Sequence, residues 1–350
     1  MRLPVFFFLV IFIVTSCGAQ TANKKSTVLP VTEDINILSG ADRPEVYLPM
    51  IKGKRVGIFA NQTSLAGTVH LVDALRKAGV DIRVIFGPEH GFRGTADAGE
   101  KIGNYTDQAT GIPVVSLYGS KRRPSAGDLK DVDILLFDIQ DVGVRFYTFI
   151  SSLEAYMQSA IEFNKPLIIL DRPNPNGHYV DGPVLDTTYR SFIGMQPVPV
   201  VYGLTIGEYA AMLLGEKWLN HKVTHQIKAD NKVVLESGTG TPASGGGHCD
   251  LTIIKCGNYT HKTKYTLPVR PSPNLPNIQS IYLYPSTCFF EGTALSEGRG
   301  TPKPFQVFGH PSLPKNLYSF TPNPNEGAKN SKHYGKPCYG WDLSGTPEEV

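Results

Sequence analysis

Little in this sequence commits it to the commonest catalytic chemistries. Only 5 of its 350 residues are cysteine, no two of them form a Cys-x-x-Cys pair, and no His-Glu-x-x-His occurs, so a structural or catalytic zinc site has little to hold it. There is no Gly-x-Ser-x-Gly elbow and no phosphate-cradling P-loop. The Gly-x-Gly-x-x-Gly of dinucleotide sites does not follow the first apolar strand, which argues against a nicotinamide or flavin dinucleotide, and no cofactor is expected. Charge of one sign is lacking too. Lys and Arg number 34 against 31 Asp and Glu, a net +3 without a basic stripe, so no nucleic-acid partner is expected. What remains is 41% hydrophobic and 19% charged, the balance of a soluble globular protein with one large or two ordinary domains.

The long hydrophobic run that does occur sits at the start. Arg2 precedes LPVFFFLVIFIV, and VTSC ends at Cys17. A short apolar core behind a positive charge reads as an export signal, too short and wrongly flanked for a stable span. Small residues before Cys17 fit a bacterial lipobox, so residues 1–17 are expected to be a lipoprotein signal peptide, with Cys17 acylated and tethering the exported protein to a membrane. An ordinary cleaved signal with an incidental cysteine is the alternative. Residues 18–45 read as a polar tether. Cys249, Cys256, Cys288 and Cys338 remain, and an exported chain permits disulfides; the Cys249–Cys256 spacing suits a small closed loop, although sequence does not dictate pairing.

From residue 46 to 203 apolar runs alternate with helical patterns. RVGIFAN (55–61), IRVIFG (82–87), VVSLYG (114–119), DILLFD (133–138) and PLIILD (166–171) read as strands covered on both faces. VHLVDALRKAG (69–79), TFISSLEAYMQSAIEF (148–163) and TIGEYAAMLLGEKWL (205–219) read as amphipathic helices. The repeat predicts an α/β fold, a Rossmann-like parallel sheet with a second, smaller α+β domain over 204–350. Residues 236–248 are Gly-rich and read as a flexible loop, while 267–277 and 289–306 are irregular and polar.

Sites in open parallel sheets gather beyond the carboxyl ends of the strands. There the sequence supplies Asn61, then Glu89-His90, then Tyr118, then Asp138, Asp141 and Arg145, then Asp171, Arg172 and Asn174. Each alone would be an ordinary turn former. Together with Glu291 and Glu297 they provide the carboxyl groups that glycoside hydrolysis needs. Glu89 follows an apolar strand, where desolvation favours the proton-carrying form, and His90 is placed to orient it. Asp138 and Asp141 are alternatively metal ligands with His90. Arg145, Arg172, Arg270 and Arg299 are candidates to fork a substrate carboxylate.

GPEHGFRG (87–94), SLYG (116–119), FDIQDVGVRFYTFI (137–150), LDRPNPNG (170–177), DGPVLD (181–186), PSPNLPN (271–277) and EGTALSEGRGTP (291–302) resemble the exo-β-N-acetylmuramidase family. The resemblance runs from about residue 50 to 342 and implies removal of N-acetylmuramic acid from the non-reducing ends of peptidoglycan-derived glycans, in a cleft between a Rossmann-like domain and a smaller one. It places the glutamate of the family's PEHG motif on Glu89. The expected catalytic set is then Glu89, His90, Asp138 and Asp141. The expected substrate-binding set is Asn61, Arg93, Arg145, Arg172, Asn174, Arg270, Asn274, Glu291, Glu297 and Arg299, with no metal. Family members continue past the CYGWDLS segment, so a shortened second domain is also expected. A non-catalytic muropeptide-binding lipoprotein and a metal-dependent hydrolase are the competing readings.

Overall fold

The computed structural model describes residues 36–94, 103–219, 222–229, 232–236 and 248–346. The signal segment, Cys17, most of the tether and most of the Gly-rich stretch lie outside the described residues.

Apolar hexads become strands because burial on both faces leaves the backbone ladder as the only partner for its N–H and C=O groups. In chain order α1 is Pro44–Ile51, β1 Arg55–Ala60, β2 Leu65–Ala66, β3 Val69–His70, α2 Leu71–Lys77, β4 Asp81–Gly87, β5 Tyr105–Thr106, β6 Pro113–Ser116, β7 Ile134–Asp138, α3 Phe149–Glu162 and β8 Leu167–Leu170. There follow α4 Ile206–Gly215, β9 Lys222–Ala229, β10 Lys232–Glu236, β11 His248–Ile254, α5 Ile278–Thr287, β12 Val307–His310, β13 Tyr318–Phe320 and β14 Cys338–Asp342. Nine described strands form one sheet in the order β10-β9-β11-β8-β7-β1-β4-β6-β5. The strands from β9 to β6 are parallel, and an antiparallel strand closes each edge. Side chains alternate across it: Val56 and Ile58 pack with α1 and α2, whereas Phe59 packs with α3 and α4.

Two readings of the sequence need correction. The parallel layer does not end at residue 203: β11 pairs with β8 and carries the sheet to Ile254. Its HCDLTII sequence mixes polar residues into the run and follows the Gly-rich stretch, which hides it. Nor do Cys249 and Cys256 form a disulfide; all four described cysteines are free thiols. Cys249 lies inside β11, so six residues of mostly extended chain, on the order of 20 Å, separate it from Cys256, and a bridge tolerates about 7 Å between Cα atoms.

The sheet order reverses between β1 and β7, which opens a crevice at their carboxyl ends. Buried polar groups floor it. Arg172, just past β8, grips Asp138 at the tip of β7 with two bonds, Nε–Oδ1 at 2.6 Å and Nη2–Oδ2 at 2.8 Å, and also donates to the Leu65 carbonyl at 2.8 Å. Asp171 accepts from the Thr205 hydroxyl and the Gly207 N–H, both at 2.8 Å, and so fastens β8 to the start of α4. Asp141 accepts from the Tyr202 hydroxyl and from the Gly143 N–H, while its Oδ1 is buried with no hydrogen-bond partner. Burial pushes both Asp141 and Asp171 up to about 7 from the ordinary 3.8.

Removing the cation from the buried pair exposes the cost of a lone carboxylate. Arg172→Met is expected to lose about 3–5 kcal/mol in urea unfolding, and adding Asp138→Asn to it to restore part of the loss. An Arg172→Met protein as stable as wild type would discard the role given to this pair. The raised carboxyls set a sign for pH. Between about 4 and 7 the folded protein holds protons that the unfolded chain has released, so unfolding free energy falls as pH rises through that window and levels off above it. Asp141→Asn, which mimics the neutral form, is expected to flatten the slope in denaturation series from pH 4 to 8; an unchanged slope would assign it to other groups.

Candidate active site

The chain leaves β4 through Gly87-Pro88 and turns sharply. His90 takes a left-handed φ of 67°, followed by Gly91 at 75° and Gly94 at 71°. A non-glycine residue seldom adopts that conformation without tertiary support. The support comes from a distant turn, since the Ser272 hydroxyl meets His90 Nε2 at 3.4 Å. This bend lifts Glu89 off the strand and leaves its side chain half-buried at the sheet edge.

Glu89 and His90 open onto a cavity of about 70 Å³. Phe146 to Phe149 at the start of α3, Ser272 to Leu275 apart from Pro273, Tyr284 of α5, and Arg299 with Phe305 complete its lining. The turn at 271–275 is fixed from both sides. Tyr147 donates its hydroxyl to the Pro271 carbonyl at 2.9 Å, Gln62 Nε2 donates to the same oxygen at 3.1 Å, and Asn274 Nδ2 donates to the Gly327 carbonyl at 2.8 Å. Aromatic edges build the apolar wall: Phe146, Tyr147 and Phe305 meet Tyr284 at ring separations of 5.5, 6.0 and 4.8 Å. Arg299 brings the positive charge. It pairs with Glu291 at 2.6 Å and Glu297 at 3.6 Å, and Lys332 stands 3.1 Å from Glu297. Behind Glu89, the Tyr118 hydroxyl donates to its carboxylate; burial, then the Glu89 charge, pushes that phenol up to about 12.

The predicted residues therefore divide. Glu89, His90, Asn274 and Arg299 line one cavity, with Glu291 and Glu297 against Arg299. Arg270 pairs with Glu326 at 2.7 Å in solvent beside the turn. The others serve the scaffold. Asp138 and Asp141, expected to be catalytic, do not line the cavity: the first is locked to Arg172, the second is sealed under Tyr202. Arg172 is spent on that pair. Asn61 accepts from the Thr63 N–H at 2.9 Å, and Asn174 bridges the Leu204 carbonyl and the Asn176 N–H, both at 2.8 Å. Arg145 donates to the Pro183 carbonyl at 2.8 Å, and Arg93 pairs with Asp107 at 2.7 Å. No group of three His, Cys, Asp or Glu side chains gathers among the described residues, so the metal reading that joined Asp138, Asp141 and His90 has no ligand set there. Tyr147, Ser272 and Tyr284 were not in the predicted site, and Tyr118, named at a strand end, was given no role in it. Tyr118 ends a strand, the same positional signal that marked Glu89.

Two descriptions of one family match most of the chain: exo-beta-N-acetylmuramidase NamZ, N-terminal, over residues 56–279, and its C-terminal counterpart over 282–349. The chain is 38% identical to the peptidoglycan beta-N-acetylmuramidase NamZ of Bacillus subtilis (strain 168) over 323 residues, 85% of this chain and 69% of that protein. Crystal structures of two DUF1343 family proteins of Bacteroides fragilis NCTC 9343 superpose on it. One has TM-score 0.75 and 45% identity over 90% of this chain and 78% of its own; the other has 0.71 and 29%, over 89% and 77%. With both regions matched and a fold shared at this identity, the chain belongs to the exo-β-N-acetylmuramidase NamZ family.

Proposed function

We propose that this protein is an exo-acting β-N-acetylmuramidase that removes N-acetylmuramic acid from the non-reducing ends of peptidoglycan fragments, with Glu89 as its general acid. The observation that carries the reading is the position of Glu89: a half-buried carboxyl lifted from the β4 tip into a cavity with an aromatic wall and a guanidinium. Its membership of the family and its likeness to the Bacillus subtilis enzyme supply the reaction.

In this reading the Glu89 carboxylic acid donates its proton to the departing glycosidic oxygen as the C1–O bond breaks, and water completes the hydrolysis. Tyr118 steadies the carboxylate left behind, through the hydrogen bond it already makes. His90 acts by holding the bend that aims Glu89 and leans on Ser272 to do so. The rings of Phe146, Tyr147 and Tyr284 offer the apolar face of a pyranose a surface to stack on. The same proposal includes export and acylation at Cys17, which rest on the sequence of residues 1–17.

A chromogenic β-N-acetylmuramide tests the chemistry. Wild type is expected to release the chromophore, and Glu89→Gln to lower kcat by about 10²-fold or more with an unchanged unfolding midpoint. Full activity in Glu89→Gln would remove Glu89 from the reaction, and sugar binding without turnover by wild type would replace hydrolysis with capture. For the anchor, labelled palmitate fed to expressing cells is expected to enter the full chain but not Cys17→Ala, and label in both would dismiss acylation at that thiol.

A further inference from the structure

Tyr118 has a second neighbour. Besides its hydroxyl contact with Glu89, its ring lies under Arg122, which with Lys121, Arg123, Gln158, Phe192 and Met195 lines a hollow of about 490 Å³. Its three consecutive cations are not equivalent. Lys121 is paired with Asp128 at 2.6 Å, and Arg123 is paired with Glu162. Arg122 instead stands over two rings, its guanidinium carbon 3.9 Å from the Phe192 centroid and 5.3 Å from that of Tyr118, and it meets no carboxylate among the described residues. Stacking fixes the guanidinium plane while leaving its N–H edge open, the arrangement that forks a carboxylate. Phe192 and Met195 add an apolar surface beside it.

Arg299, the cation of the Glu89 cavity, is held between Glu291 and Glu297 at 2.6 and 3.6 Å, so a substrate carboxylate there would face two competitors. Arg122 offers charge without that competition, one side chain removed from Glu89. We infer that Arg122 receives a carboxylate carried on the lactyl arm of the substrate, the arm that distinguishes N-acetylmuramic acid from N-acetylglucosamine. The inference rests on the hydrolase reading above. The carboxylate is the lactyl group's own or that of a peptide joined to it by an amide, and both present the same chemistry to Arg122.

Three chromogenic β-N-acetylmuramides separate these sources: one with the free lactyl acid, one with that acid as its methylamide, and one with it joined to an acidic dipeptide. Wild type is expected to favour a carboxylate-bearing substrate over the methylamide. Arg122→Gln is expected to raise KM for the favoured substrate about tenfold or more, with kcat nearly unchanged and the methylamide unaffected, and Arg122→Lys to recover part of the loss. Loss on the free acid assigns the lactyl carboxylate; loss confined to the dipeptide conjugate assigns the peptide's. Equal KM values for wild type and Arg122→Gln on all three substrates overturn the inference and leave hydrolysis standing. Should wild type release nothing from any of them, the hydrolase reading fails instead. Calorimetric titration with N-acetylmuramic acid and its dipeptide conjugate then decides, and equal affinity in wild type and variant overturns the role of Arg122. Arg122→Lys serves for every arm if Arg122→Gln does not fold.

Discussion

A guanidinium and a carboxylate with almost no water around them hold the tips of three strands in place. Arg172 reaches from the end of β8 to Asp138 at the end of β7, and its remaining N–H edge meets the Leu65 carbonyl in the segment after β1. These are the strands that flank the point where the sheet order reverses. Burying two charges is expensive, and the geometry offsets it because both Asp138 oxygens are bonded and the Arg172 Nε and Nη2 groups find acceptors. The edge of the sheet is rigid here for that reason, and the loops that carry the cavity start from it.

Above this floor the cavity is assembled from segments far apart in the chain. Glu89 and His90 come from the end of β4, the aromatic wall from the start of α3, the second half of α5 and Phe305, and Arg299 from the same irregular stretch between α5 and β12 as Phe305. The turn around Ser272 joins them. Its carbonyls accept from Gln62 and Tyr147 on the sheet side, while Asn274 binds the Gly327 carbonyl on the other. Backbone oxygens take most of these bonds, so the turn is positioned by its path. The left-handed His90 completes the arrangement by leaning on Ser272. Positioning by backbone acceptors and packed rings leaves Glu89 and the guanidinium groups as the charges that face a ligand.

Much of the layer was legible before any coordinates, because runs such as DILLFD and PLIILD have no polar side to expose and a 3.6-residue period is hard to disguise in α3. The rule that strand tips hold sites found Glu89 and His90. It also swept in Asp138, Asp141, Asn61, Asn174 and Arg172, because a polar residue that faces a ligand and one that ties a loop down look alike in a sequence. Burial and pairing separate them, and both depend on segments tens of residues away: Asp138 is answered by Arg172, Asp141 by Tyr202. Arg122 was missed for the complementary reason. Its distinction from Lys121 and Arg123 is that Asp128 and Glu162 serve those two, which no local pattern reveals. β11 escaped because its composition is that of a half-polar strand beside a glycine run.

The four described thiols give the fold an unusual freedom. Burial pushes Cys249 and Cys288 up to about 12 and Cys338 up to about 11, and holds Cys256 well above its ordinary value. Thiolate, the form that attacks a disulfide or an oxidant, is thus nearly absent at neutral pH. No covalent crosslink braces the described chain, and none is chemically inviting. Once folded, the described chain therefore has no crosslink for a reductant to cut and four thiols that burial withholds from an oxidant, so its native state, as distinct from the exposed thiols of the unfolded chain, makes little demand on redox poise.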